Sequence, residues 1–69
     1  MTVRPPRLTV NGVQVPMAAT VADLVARHYP DPRGLAVAVD GVVVPRTAWA
    51  TSLLTPGRMV EIVTAVQGG

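Results

Sequence analysis

Leu8-Thr9-Val10-Asn11-Gly12-Val13-Gln14-Val15 leads, past Pro16, into Thr20-Val21-Ala22-Asp23-Leu24-Val25, and these two stretches decide the fold. The first alternates apolar and polar residues on either side of Asn11-Gly12. That pair tolerates positive φ and favours a type I′ turn. It predicts a hairpin that closes at Pro16. The second opens with a capping-box pattern in which Thr20 caps the first turn and Asp23 sits at the favourable end of the macrodipole. Val21, Leu24, Val25 and His28 then recur at helical spacing, which predicts one face of a short helix. Pro30 disfavours helical geometry at Tyr29, so the helix should span Val21 to about His28.

Downstream, Asp31-Pro32-Arg33-Gly34 reads as loop. Leu35 to Val39 is a continuous apolar run that reads as a buried strand. Asp40-Gly41 is a second hairpin signal, and Val42-Val43-Val44 is the return strand, stopped by Pro45. Arg46 to Leu54 reads as irregular. Thr55-Pro56-Gly57 is a turn. Met59 to Thr64 alternates again, with Val60, Ile62 and Thr64 on one face and Met59, Glu61 and Val63 on the other. Hairpin, helix, hairpin, strand is the order of a two-layer α+β domain. With the first and last strands central and parallel, it is a β-grasp: one helix packed on a mixed four- or five-stranded sheet. The domain should occupy residues 1–64, with 1–7 a loose leader around Pro5-Pro6 or the start of an edge strand, and residues 65–69 should form a flexible tail.

Composition removes most chemistries. The chain has 69 residues, too few for more than one domain. It has no cysteine, which excludes disulfides, thiolate metal sites and cysteine nucleophiles. A single histidine excludes a multi-histidine metal site, and with four acidic residues in all a carboxylate-rich calcium loop is not expected. Fourteen valines support a packed, strand-rich core. The net charge is only +2, and the six arginines are scattered rather than clustered. With two aromatic residues besides, nucleic-acid binding is not expected. No apolar run approaches the roughly 18 residues of a membrane span, and no unbroken signal-peptide core is visible, so a cytoplasmic location is expected.

Few residues could carry side-chain chemistry. His28 stands alone and reads as a partly buried residue closing the helix. Asp23 reads as a cap, Asp40 as a turn residue, and Arg46 as a solvated cation with a partner as the alternative. Trp49 reads as a cover for the core edge, or else as a contact surface.

The ending differs. At a glycine frequency of roughly 7%, a chance Gly-Gly ending occurs in roughly one chain in 200. Here a strand feeds directly into Ala65-Val66-Gln67-Gly68-Gly69. Without Cβ atoms, such a tail can enter a narrow channel and approach a nucleotide closely. A carboxylate is a poor electrophile, but transfer to the α-phosphate of ATP makes an acyl-adenylate with a good leaving group, and sulfur attack would then yield a thiocarboxylate. Thiols and amines attack such an activated terminus. The chain contains neither cysteine nor lysine, so it cannot consume its own.

Val10-Asn11-Gly12, Thr20 to Leu24, Ala36 to Gly41, Val44-Pro45-Arg46-Thr47-Ala48-Trp49 and Val60 to Gly69 together resemble the ThiS family of sulfur carriers in thiamine biosynthesis. The resemblance runs in order from about Leu8 to the end. Pro45 to Trp49 and the Thr-Ala-Val-Gln-Gly-Gly ending are its most specific parts. It implies a ubiquitin-like β-grasp that is a protein co-substrate rather than an enzyme. It implies that an E1-like adenylyltransferase, using ATP and magnesium, adenylates Gly69. Sulfur would arrive through a cysteine desulfurase, and thiazole synthase would accept it from the thiocarboxylate. Gly69 would then carry the sulfur, and Gly68, Gln67 and Val66 would be the arm that reaches the partners. No cofactor would be bound by the chain itself. Three features depart from the usual pattern: the leader before Leu8, Asp40 where Asn is usual, and Arg58 where an acid is common.

Other readings predict different behaviour. A carrier for another pathway, like the small subunit of molybdopterin synthase, would use the same terminus. A non-covalent β-grasp binding module would tolerate extension beyond Gly69. A protein-conjugating modifier would leave isopeptide adducts.

Overall fold

The computed structural model describes residues 5–64. Strands β1 (Arg7–Val10) and β2 (Val13–Pro16) form the first hairpin, and helix α1 spans Val21–His28. Strands β3 (Leu35–Val39) and β4 (Val42–Val44) form the second hairpin. A 3₁₀ turn, Arg46–Ala48, precedes the last strand, β5 (Met59–Thr64). The strands make one five-stranded sheet in the order β2-β1-β5-β3-β4, with β5 in the middle. β5 runs parallel to β1 and antiparallel to β3. The expected α+β arrangement is therefore present, with five strands.

Both hairpins turn as their dipeptides dictate. Asn11 and Asp40 adopt φ of 50° and 49°, followed by Gly12 and Gly41 at 84° and 83°. Each glycine takes the second left-handed position of a type I′ turn, where a side chain would be strained.

The core lies between α1 and one face of the sheet. Val21, Leu24 and Val25 of the helix meet Leu8, Val37, Val60 and Ile62 of the strands, all buried. The alternation in β5 follows the expected pattern, with Val60 and Ile62 inward and Met59, Glu61 and Val63 exposed. In β3 only Val37 is fully buried. The run Leu35–Val39 looks uniformly apolar because the outward positions hold alanine, which a one-sided sheet tolerates, and not because both faces are covered.

The helix N-terminus is capped by more than its own sequence. Thr20 Oγ1 accepts from Asp23 N–H at 3.1 Å. The Val21 and Ala22 N–H groups donate to the carbonyls of Ser52 and Trp49, each at 3.0 Å. These are donors that a helix start leaves without partners. The segment read as irregular, Arg46–Leu54, thus completes α1 from outside, and Thr20 also bridges to Leu53. Two placements differ from expectation. His28 is exposed, not partly buried. It lies on the core side of the helical wheel, but the helix ends there and Tyr29, in extended conformation, packs on the core instead. Arg7 opens a strand, pairing with Pro16 as the first residue of β1, but β1 lies between β2 and β5 rather than at the sheet edge.

Candidate functional site

The residues expected to carry chemistry, Gly69 with Gly68, Gln67 and Val66, lie outside the described residues, as does the expectation that the tail is flexible. What the structure describes is the platform that leads to them. That platform is β5, held on both flanks by side chains from the two hairpin turns.

On one flank, β1 stops pairing at Val10↔Val60. Asn11 N–H still donates to the Val60 carbonyl at 2.9 Å. The Asn11 carboxamide then takes over: Nδ2 donates to the Ile62 carbonyl and Oδ1 accepts from the Ile62 N–H, both at 2.9 Å. On the other flank, Asp40 N–H donates to the Met59 carbonyl at 2.7 Å, and Asp40 Oδ1 accepts from Met59 N–H at 2.9 Å. Arg58 Nη1 donates to Asp40 Oδ2 at 2.6 Å. The Met59 N–H and the Arg58 guanidinium hold the Asp40 carboxyl below its ordinary range. The two unusual residues, Asp40 and Arg58, are therefore partners of each other.

The sheet face away from α1 carries an apolar strip along β5. Met59 and Val63 are 59% and 56% exposed, and Val43 on β4 is 70% exposed. Ala36 lies beside Val63, and Ala38 lies between Glu61 and Val43. Such a strip, rimmed by polar groups, is a common form of protein-contact surface. Glu61 stands in its middle as a single charge.

The remaining candidates separate from this region. Asp23 caps α1, and Asp40 does more than turn the chain. Trp49 is only 5% exposed and donates from Nε1 to the Val44 carbonyl at 2.8 Å, so it covers the core edge. Among the described residues no group of three His, Asp or Glu side chains could hold a metal ion. Among them, too, no helix is long and apolar enough to cross a membrane. The reach of Asn11 and Asp40 onto β5 had no signal in the sequence beyond the likeness of the two turns, because both residues already have a sufficient local reason to be there.

One helix lying across a mixed sheet whose central strand runs out toward a diglycine defines a ubiquitin-like β-grasp protein. A family model described as the ThiS family matches residues 7–69, and the chain belongs to that family. It is similar to the solved structure of the thiamine biosynthesis protein ThiS from Geobacter metallireducens, with 26% identity and a TM-score of 0.78. That similarity covers 91% of this chain and 99% of the other. No curated protein matches.

Proposed function

We propose that this protein is the sulfur carrier of thiamine thiazole biosynthesis. The observation that carries the reading is the family match, which extends through Gly69 and so includes the diglycine ending. The fold supports it: the central strand, locked on both flanks, gives a rigid base from which residues 65–69 can be presented at a set direction.

In this reading the Gly69 carboxylate attacks the α-phosphorus of ATP in an E1-like adenylyltransferase, and pyrophosphate leaves with magnesium. A sulfur donor charged through a cysteine desulfurase attacks the acyl carbon with its persulfide sulfur and displaces AMP. A thiol of the donor system then reduces the acyl disulfide, taking the donor sulfur into a new disulfide and releasing the thiocarboxylate. Thiazole synthase then takes that sulfur. Gly68, Gln67 and Val66 are the arm threaded into each partner, and Gly68, lacking a Cβ, lets the backbone next to the reacting carboxylate approach closely. The carrier supplies no acid, base or metal. It is a cytoplasmic co-substrate whose reactive atom belongs to its backbone. The outer strip of Met59, Val63 and Val43 is the docking face for the adenylating partner, because it is continuous with β5 and therefore with the arm. The carrier for molybdopterin-type sulfur transfer is the second reading, and the Pro45–Trp49 segment favours thiamine.

Extension tests it. With one alanine added after Gly69, the carrier reading expects no pyrophosphate exchange with an adenylating enzyme that accepts the parent chain. Exchange undiminished by the extension would refute the role of the terminal carboxylate.

A further inference from the structure

On the opposite layer from the outer strip, a hollow opens between α1 and the 3₁₀ turn. Val25 and Trp49 are buried at its floor, and Ala22, Ala26, Tyr29 and Arg46 line its sides. It encloses about 280 Å³. We infer that this hollow is a docking site for a segment of a partner protein that sets one large apolar side chain beside a carboxylate.

The hollow exists because small residues line it. Ala22 and Ala26 lie one turn apart on the same flank of the helix, and Ala50 faces them from beyond the 3₁₀ turn. Its walls are stiff. Pro30 and Pro32 form part of the rim, and fixed φ angles restrict their motion. Trp49 is pinned by its bond to the Val44 carbonyl. A preformed pocket spares a ligand the ordering cost of closing it.

Size and charge select the occupant. The volume lies just under the roughly 300–1,000 Å³ of sites that enclose a drug-sized ligand. It suits a single aromatic or branched side chain better than a nucleotide. Among the described residues no side chain pairs with the cationic group at the rim. Arg27 donates to the carbonyls of Pro16 and Met17, Arg33 to Asp31, and Arg58 to Asp40. Arg46 donates a side-chain hydrogen bond to no described residue. The acid whose charge it feels, Asp31, is already gripped by Arg33. A guanidinium beside an apolar hollow matches a carboxylate attached to an apolar body, with the planar fork taking both oxygens.

This site does not rest on the sulfur-carrier reading. It lies across the sheet from the strip of Met59 and Val63, so the two surfaces can be engaged at once. A carrier could hold a second protein here while its tail is being modified elsewhere.

The test is a titration of the isotope-labelled protein with N-acetyl-Phe-Asp-amide, followed by NMR, with N-acetyl-Phe-Asn-amide as the uncharged control. The expected result is saturable shifts at Ala22, Ala26 and the Trp49 indole N–H in the millimolar range. The control peptide, and the Arg46→Gln variant with the acidic peptide, should each bind about tenfold more weakly. Ala26→Phe, on an exposed helix position, should fill the hollow and abolish the shifts while leaving thermal unfolding intact. Absence of shifts at those residues, equal binding of the two peptides, or binding unaffected by Arg46→Gln would each overturn the inference. None of these results bears on whether Gly69 becomes a thiocarboxylate.

Discussion

The Asn11 carboxamide grips Ile62 across 51 residues of chain, donating to its carbonyl and accepting from its N–H, both at 2.9 Å. A carboxamide offers the same donor and acceptor as a peptide unit. Asn11 therefore continues the β1 ladder for one more step after the backbone of β1 has turned away. Asp40 does half of the same on the other flank, accepting from Met59 N–H. The central strand is held from both hairpin turns, and it is the strand that leads to the tail.

Asn11→Gly separates the turn from the grip. Glycine accepts the φ of 50° without strain, so the loss measures the two side-chain bonds. Urea denaturation should show a loss of about 1–3 kcal/mol. A change within about 0.5 kcal/mol, ordinary for a surface position, would mean that the carboxamide contributes nothing.

Acid should loosen the other flank. The Met59 N–H and Arg58 together lower the Asp40 pKa from its ordinary 3.8. A depressed carboxyl favours the folded state when ionised, so its contribution is present above about 3.8 and is lost as pH falls through the lowered value. Asp31, lowered by its bonds to Arg33, adds in the same direction. Carboxyl NMR titration should place Asp40 below 3.8, and Asp40→Asn should flatten the acid limb of the stability profile. Titration of Asp40 at or above its ordinary value would contradict the pairing.

Trp49→Phe removes the bond to the Val44 carbonyl and part of the volume beneath the 3₁₀ turn. The expected cost is about 1–3 kcal/mol, and Trp49→Ala should cost about 3–5 kcal/mol. That is a large share of the roughly 5–15 kcal/mol available to a whole domain. Chemical denaturation of the two variants checks the order. Equal stability of all three proteins would show that Trp49 does not close the core.

Met59→Lys places a charge on the outer strip without touching the core, since Met59 is 59% exposed. Stability should change by no more than about 0.5 kcal/mol. The KM of the carrier for its adenylating enzyme should rise about tenfold, with kcat little changed, as for loss of a contact residue at an interface. Unchanged KM would move the docking face elsewhere.

The fold was largely legible because the local signals agree with one another. Asn11-Gly12 and Asp40-Gly41 set both hairpins, Thr20 and Pro30 bound the helix, and the alternation from Met59 to Thr64 assigned the inward face of β5 correctly. The failures occur where tertiary context decides. His28 has the spacing of a core residue, yet the helix ends under it and Tyr29 takes the place. The apolar run of β3 reads as buried on both sides because alanine does not distinguish a covered face from a bare one. The segment Arg46–Leu54 has no periodicity, so nothing local reveals that its carbonyls cap α1. The expected site was legible only as an ending, Gln67-Gly68-Gly69, and lies outside the described residues. The grip of Asn11 and Asp40 on β5 was hidden, because turn geometry alone already explains both residues.

Whether Gly69 carries sulfur can be read from the mass of the intact protein. The chain is incubated with ATP, magnesium, its adenylating enzyme and a sulfur source. A sulfur carrier should gain the mass of one oxygen replaced by sulfur, mapped to Gly69 and absent from a chain lacking that residue. Neither adenylate nor thiocarboxylate, with an enzyme shown to be active on another carrier, would contradict it and leave a non-covalent β-grasp binding module as the better reading.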